Sequence, residues 1–236
     1  MLDQQKHAMT MRNILDEIYS HKVLSSLLGF KGGTACYFFY SLPRFSTDLD
    51  FNLLDLDAKE EVFALLGELL SKYGEIKTKI IKHNTILFFI SHTPQRSGIK
   101  VEISTREIEK VNSYQLREFY GTSILVMKKE DIFAGKLLAL IGRPTPTSRD
   151  LFDVNYFFKQ NWNFNEKLIE KVSGQSIKKY LSGLVLAIKK NFKSSTIHQG
   201  LGELLENQSQ RDFVKNKLID ETVGLIELYL KTAVDL

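Results

Sequence analysis

Apolar residues recur at helical spacing over 10–28: Met11, Ile14, Leu15, Ile18, then Val23, Leu24, Leu27 and Leu28. This predicts a helix with Gly29 as its stop. Residues 34–41 are apolar and aromatic all round, which predicts a short buried helix closed by Pro43. The pattern then switches to strict alternation in FSTDLDFNLL (45–54). Asp48, Asp50 and Asn52 fall on one face of a strand there; Leu49, Phe51 and Leu53 fall on the other. An amphipathic helix over 58–72 follows, with Asp57 as candidate N-cap. Strands are predicted over 75–82 and 84–92, a loop over 94–98, and a third alternating strand, IKVEIS, over 99–104. That strand carries Glu102 on the face opposite Val101 and Ile103, where an acid is costly unless it is paired or binds a cation.

Strand signals stop near residue 105. KKEDIFAGKLLALIG (128–142) is strongly helical, and Thr147 or Ser148 caps a helix over SRDLFDVNYFFKQ. Further helices are predicted at about 164–172, 176–192, 198–206 and 210–232. The chain therefore reads as α/β (α+β): a small mixed sheet flanked by helices over 1–125, followed by an all-helical domain over 126–236. Composition adds exclusions. The single cysteine, Cys36, rules out an intramolecular disulfide and a multi-cysteine zinc site, and within an apolar helix it reads as a small buried hydrophobe. The five histidines are scattered, with no pair at metal-ligand spacing. The polar N-terminus lacks a signal-peptide core and no apolar run reaches membrane length, so a cytoplasmic protein without a membrane partner is expected. Trp162 and its neighbours Tyr156, Phe157, Phe158 and Phe164 read as core. The net charge of +4 is modest, but Lys159, Lys167, Lys171, Lys178, Lys179, Lys189, Lys190 and Lys193 face only Glu166 and Glu170 within 159–193. That stretch could meet a phosphate backbone or be a solvated helix face.

Candidate chemistry gathers in KGGTACYFFYSLPRFSTDLDFN (31–52). Gly32, Gly33 and Thr34 open a helix, and backbone N–H groups at such a terminus can receive phosphate. Asp48 and Asp50 share a strand face, and Glu102 supplies a third carboxylate from another strand. Three acids converging from neighbouring strands beside a phosphate cradle suit a divalent metal and a nucleotide. The competing readings are an outward-facing strand for Asp48 and Asp50, and surface pairs of Glu102 with Lys100 or Arg106.

The order of these pieces resembles the polymerase-β-like nucleotidyltransferase superfamily. It is closest to the AbiEii/AbiGii toxin family, whose first motif reads KGGT, a short helix, then RFSxDxDF; IKVEIS looks like its second motif and KLLALIGRPTPTSRDLFDV (136–154) like its third region. The resemblance implies that Gly32, Gly33 and Thr34 cradle nucleotide phosphates, with further nucleotide contacts from Arg44, Ser46 and Arg143. It implies that Asp48, Asp50 and Glu102 hold Mg²⁺, as a two-metal site with Mn²⁺ as a substitute, and that Lys136 from the helical domain contacts the triphosphate. The acid that follows Arg149, Asp150, is the expected active-site member, with Asp153 as the alternative. Arg44 could instead pair with Asp48, and Arg149 with Asp153 as a helix salt bridge. The implied activity is transfer of a nucleoside monophosphate from an NTP to an acceptor, RNA and notably the tRNA 3′ end, by the toxin of a bacterial toxin–antitoxin or abortive-infection system with a cognate antitoxin. The alternatives are a small-molecule nucleotidyltransferase of the antibiotic-modifying kind and a non-catalytic nucleotide-binding regulatory module.

Overall fold

The computed structural model describes residues 3–91, 98–107 and 112–232. It is a mixed α/β protein that divides into two compact units, one of residues 1–41 and 45–128, the other of 42–44 and 129–236. The first unit opens with α1 (Gln4–Ser20), capped by the Asp3 carboxylate. Its apolar stripe of Met11, Ile14, Leu15 and Ile18 is fully buried. The expected single helix over 10–28 is interrupted. His21 ends α1, its Nδ1 accepts from the N–H groups of Val23 and Leu24, and α2 (Leu24–Leu27) runs directly into strand β1 (Leu28–Lys31). Gly29 is thus a strand residue rather than a helix stop. A Cβ there would collide with the ring of Tyr114, which crosses it to meet Asn52.

After β1 come α3 (Gly32–Phe39), β2 (Leu49–Leu53), α4 (Lys59–Ser71), β3 (Glu75–Lys82), β4 (Thr85–Ser91) and β5 (Gly98–Ser104). A 3₁₀ turn over Leu56–Ala58 precedes α4, so Asp55, which accepts from the Asp57 N–H, is the capping acid rather than Asp57. Most of the loop expected at 94–98, and His92, lie outside the described residues. Strand structure continues past residue 105: β6 (Tyr114–Phe119) and β7 (Thr122–Met127) form a hairpin. Its two-residue turn, Tyr120–Gly121, has both φ angles positive, the geometry that matches strand twist. Arg12 braces Tyr120 from above its ring at 3.6 Å. The strands form one seven-stranded mixed sheet in the order β3-β4-β5-β2-β1-β7-β6. The central strands β5, β2, β1 and β7 pair parallel, antiparallel and parallel in turn, which places both acid-bearing strands inside the sheet. Cys36 is buried.

The helical unit comprises α5 (Lys129–Gly142), α6 (Ser148–Lys159), α7 (Glu166–Ser173), α8 (Ile177–Asn191), α9 (Gln208–Asn216) and α10 (Leu218–Thr232). Thr147 is the N-cap of α6. Phe133 is the hub of the core, with Phe157, Phe158 and Phe164 edge-on at 5.2, 4.9 and 5.3 Å, and Trp162 stacks flat on Phe157 at 4.4 Å. Two expected helices differ. Residues 198–206 hold only turns and a 3₁₀ segment over Gly202–Leu204, and the long helix at 210–232 breaks at Lys217 into α9 and α10. Gly200 and Gly202 disfavour a continuous helix in the first of these.

Candidate active site

In the sheet unit the polar row of β2 lies beside that of β5. The two strands run parallel with Asp50 opposite Glu102 and Asn52 opposite Ser104, and Asp48 is one alternation upstream on the same face. Leu49, Phe51, Val101 and Ile103 anchor the other face and are completely buried. A one-residue slip would bury the acids instead, so the apolar face fixes which side the carboxylates occupy. Asp50 is pushed above the usual carboxylate range, chiefly by burial; Lys100 opposes the shift, Asp48 and Glu102 add to it, and Lys31 opposes it. The Lys100 ammonium lies 3.1 Å from Glu102 Oε2 and 3.4 Å from Asp48 Oδ2. The pair of Glu102 with Lys100 considered from the sequence therefore exists, and it extends to Asp48.

The row ends inward at Asn52 and Ser104. The Asn52 amide donates to the Tyr114 hydroxyl at 2.7 Å, while Asn52 Oδ1 and Ser104 Oγ are buried without a hydrogen-bond partner among the described residues. Such atoms are costly inside a protein, which marks this end of the row as a polar locus.

The glycine turn abuts the acids. Gly32 has φ +83°, and a Cβ there would stand 2.5 Å from Asp50 Oδ2, so only glycine allows the chain to enter α3 against that carboxylate. The first-turn N–H groups of α3 lack intrahelical partners and can receive an anion. Thr34 contributes differently from a free hydroxyl: it is buried, and its Oγ1 donates to the Asp48 carbonyl, tying α3 to the start of β2. Ser46 is buried, and His7, buried beside Phe45, makes a ring-nitrogen contact with the Thr47 carbonyl at 2.9 Å, so this histidine shapes the approach to Asp48.

The three carboxylates suit a divalent cation in chemistry and alignment. Among the described residues, however, no group of three or more His, Cys, Asp or Glu side chains is already gathered as a metal cage. Two of the acids, Asp48 and Glu102, are instead joined by the Lys100 ammonium, a cation standing between them.

The helical unit carries its own charged cluster. Arg44 is 2% exposed and Asp153 is fully buried; Arg44 Nε and Nη2 reach its two carboxylate oxygens at 2.6 and 2.7 Å. The structural partner of Arg44 is thus Asp153, not Asp48. Lys136 Nζ lies 2.8 Å from both Asp153 and Asp150, and Asp150 also accepts from Arg143 at 2.6 Å and Thr147 at 2.9 Å. Asp153 turns to Arg44 and Lys136, so the i, i+4 pair expected with Arg149 is not its main bond. Burial works against the charge on Asp150, but Lys136 and Arg143 more than offset it and hold the carboxyl below its ordinary range. Burial likewise opposes the charge on Lys136, and Asp153 and Asp150 together raise it above the usual lysine value. Arg143, half exposed, is the member of this cluster with donors open to solvent.

Neither the role of Lys31 beside Asp50 nor the Arg44–Asp153 pair was visible in the sequence. The first depends on the register of β1 with β2, which sets Lys31 opposite Asp50, and the second joins residues 109 positions apart. No candidate membrane-spanning helix occurs among the described residues.

Comparison with solved structures shows similarity to a candidate nucleotidyltransferase from H. pylori, with 21% identity and a TM-score of 0.68 over 100% of this chain and 98% of that one. It also shows similarity to JHP933 from Helicobacter pylori, with 21% identity and a TM-score of 0.64 over 100% and 95% of the two chains. At this identity the likeness establishes the fold. No curated protein sequence matches the chain. The family model described as "Nucleotidyl transferase AbiEii toxin, Type IV TA system" matches residues 13–218, a span that takes in the glycine turn, the carboxylate row and the Lys136–Asp150 cluster. The chain is therefore a member of the AbiEii toxin family of nucleotidyltransferases.

Proposed function

We propose that this nucleotidyltransferase is Mg²⁺-dependent and moves a nucleoside monophosphate from an NTP to a hydroxyl of an RNA acceptor, notably the tRNA 3′ end, as a toxin restrained by a cognate antitoxin. The observation that carries the metal-dependent reading is the register of Asp50 with Glu102, with Asp48 one alternation away on the same face. Bound between such carboxylates, a divalent ion supplies Lewis-acid stabilisation of phosphoryl charge and lowers the pKa of a coordinated hydroxyl. In the sheet unit, Asp48, Asp50 and Glu102 would hold it, and the N–H groups of Gly32, Gly33 and Thr34 would orient the phosphates. The acceptor hydroxyl oxygen would attack the α-phosphorus, with Glu102 helping to take its proton, as the bond between the α- and β-phosphates breaks and pyrophosphate leaves. In the helical unit, the proposed roles of Lys136, Arg143 and Asp150 rest on their own chemistry. Asp150 holds both cations by ion pairs, and Arg143 keeps donors free for an anion.

Incubation of the protein with Mg²⁺, bulk tRNA and each of the four α-labelled NTPs in turn is expected to place label in RNA. Label that appears instead in an aminoglycoside acceptor would transfer the assignment to the small-molecule reading, and no transfer to either would remove the enzymatic proposal.

The basic stretch at 159–193 is less of an electrostatic platform than its sequence implies. Lys159 pairs with Glu221 at 2.9 Å and Lys189 with Glu227 at 3.2 Å, both acids lying on α10. A concavity of about 280 Å³ at the end of that stretch is lined by exposed Lys193, Lys215 and Lys217, with Asp220 the one acid on its rim. We place RNA backbone contact there. The triple variant Lys193→Glu, Lys215→Glu, Lys217→Glu is expected to weaken tRNA binding by roughly tenfold or more at low salt and to flatten its salt dependence by about three phosphate equivalents. Unchanged filter binding across a salt series would remove this surface from the acceptor path.

A further inference from the structure

Lys100 and Glu102 are one alternation apart on β5 and project from the same face. The Lys100 ammonium contacts Glu102 and Asp48 and also feels the field of Asp50. One ammonium thus bridges the two outer carboxylates of the row, while Asp50 lies in its field and in that of Lys31. The Lys100 side chain is 36% exposed, Asp48 is 25% and Glu102 39%. Ion pairs this open to water add little to stability, so Lys100 is not explained as a structural staple. Its position has another consequence. A cation that binds Asp48 and Glu102 together competes with the ammonium for the same oxygens.

We propose that Lys100 is an exchangeable internal counter-ion, which partly offsets the charge of the carboxylate row in the metal-free enzyme and yields its place to the divalent cation, so that it sets the metal affinity of the site. This rests on the metal-dependent reading given above. Three carboxylates on adjacent strand positions repel one another, and a nearby cation keeps them ionised and together. Lysine suits that task because it is a point charge on a flexible, well-hydrated stem and can withdraw to solvent at little cost. An arginine would bind the same acids through a rigid fork and release them less readily. Lys100 is a positioning residue in this scheme: it touches the acids that hold the cation and takes no part in the transfer itself.

The test is Mn²⁺ binding followed by electron paramagnetic resonance in the absence of nucleotide. Lys100→Gln is expected to tighten binding about tenfold, because a positive charge close to the ion has gone. Lys100→Arg is expected to bind as weakly as the wild type or more weakly. Equal affinity in the Gln variant and wild type, or tightening by both substitutions, overturns the proposal. A second measurement needs no variant. The rate of reductive methylation of Lys100, read by peptide mass spectrometry on the wild-type protein, should rise severalfold on addition of Mg²⁺ and not with NaCl at matched ionic strength. An unchanged rate also overturns it. Absence of Mn²⁺ binding by every protein, with transfer persisting in chelator, would instead sink the metal-dependent reading on which the proposal stands.

Discussion

Asp50→Asn loses NMP transfer by about a thousandfold or more while its melting temperature stays level or rises. The two halves of this expectation come from one environment. The side chain is nearly isosteric, so β2 and its register with β5 should survive the change. The charge it removes is one that burial and two neighbouring acids disfavour, which is why the carboxyl is pushed up and why its loss relieves the fold. The same charge is what the proposed divalent cation would bind. Asp48→Ala should lose activity comparably, because it takes away the second carboxylate of the row. A variant of either residue that transfers label at the wild-type rate would move the catalytic acids elsewhere. A variant that is inactive because it melts early would show only that the strand was broken, so activity and melting are measured on the same preparation.

Asp153→Ala is the second large effect, and it falls on stability. This carboxylate is fully buried and takes Arg44 and Lys136 at 2.6–2.8 Å. Without it, the buried Arg44 guanidinium loses its bidentate carboxylate and the largely buried Lys136 ammonium loses one of its two acids. Breaking a buried pair from one side costs about 3–5 kcal/mol, mostly through the charge left unpaired. For a chain of this size that lowers the melting temperature by roughly 10 °C. Arg143→Ala, by contrast, removes a half-exposed partner and should stay within about 1 kcal/mol of the wild type. Calorimetry on the two variants separates these outcomes; an Asp153→Ala protein that melts with the wild type would show that the cluster is solvated. The cluster also fixes a pH dependence. The folded pKa of Asp150 is depressed, so its stabilisation is complete above the unfolded carboxylate value of about 4 and disappears as pH falls through the lower folded value.

The elements most legible in the sequence were those with a strong period and one dry face. β2 and β5 alternate cleanly, and the face carrying Asp48, Asp50 and Glu102 could be assigned before any coordinates existed. α5 and α6 were legible for the same reason, through helical period and the Thr147 cap. β1 was hidden because its four residues continue a leucine run that also suits a helix, and only pairing with β2 and β7 decides between the two. β6 was hidden because it is an edge strand whose mostly exposed residues show no alternation. At the site, residue types were legible and partners were not. Arg44 could be singled out from its motif, but its choice of Asp153 over Asp48 is set by tertiary placement. Lys100 could be seen next to Glu102, but its reach to Asp48 follows from the pairing of two strands about fifty residues apart in sequence.

Leu42–Arg44 belongs to the helical unit although the residues on both sides of it belong to the sheet unit. Arg44 is held by Asp153, and the Pro43 carbonyl accepts from Gln210 on α9. The backbone therefore passes between the units at 41/42, at 44/45 and again at 128/129. A chain threaded in this way has no single cut that yields two self-sufficient halves. Severing it at Lys128 would leave Asp153 in one fragment and its guanidinium in the other. For the same reason the helical unit of this chain is not a plain C-terminal cassette: a graft must carry Leu42–Arg44 with it, and those residues lie within ten positions of β2. In this chain the acids of β2 and the clamp of the helical unit are therefore inseparable by a single crossover.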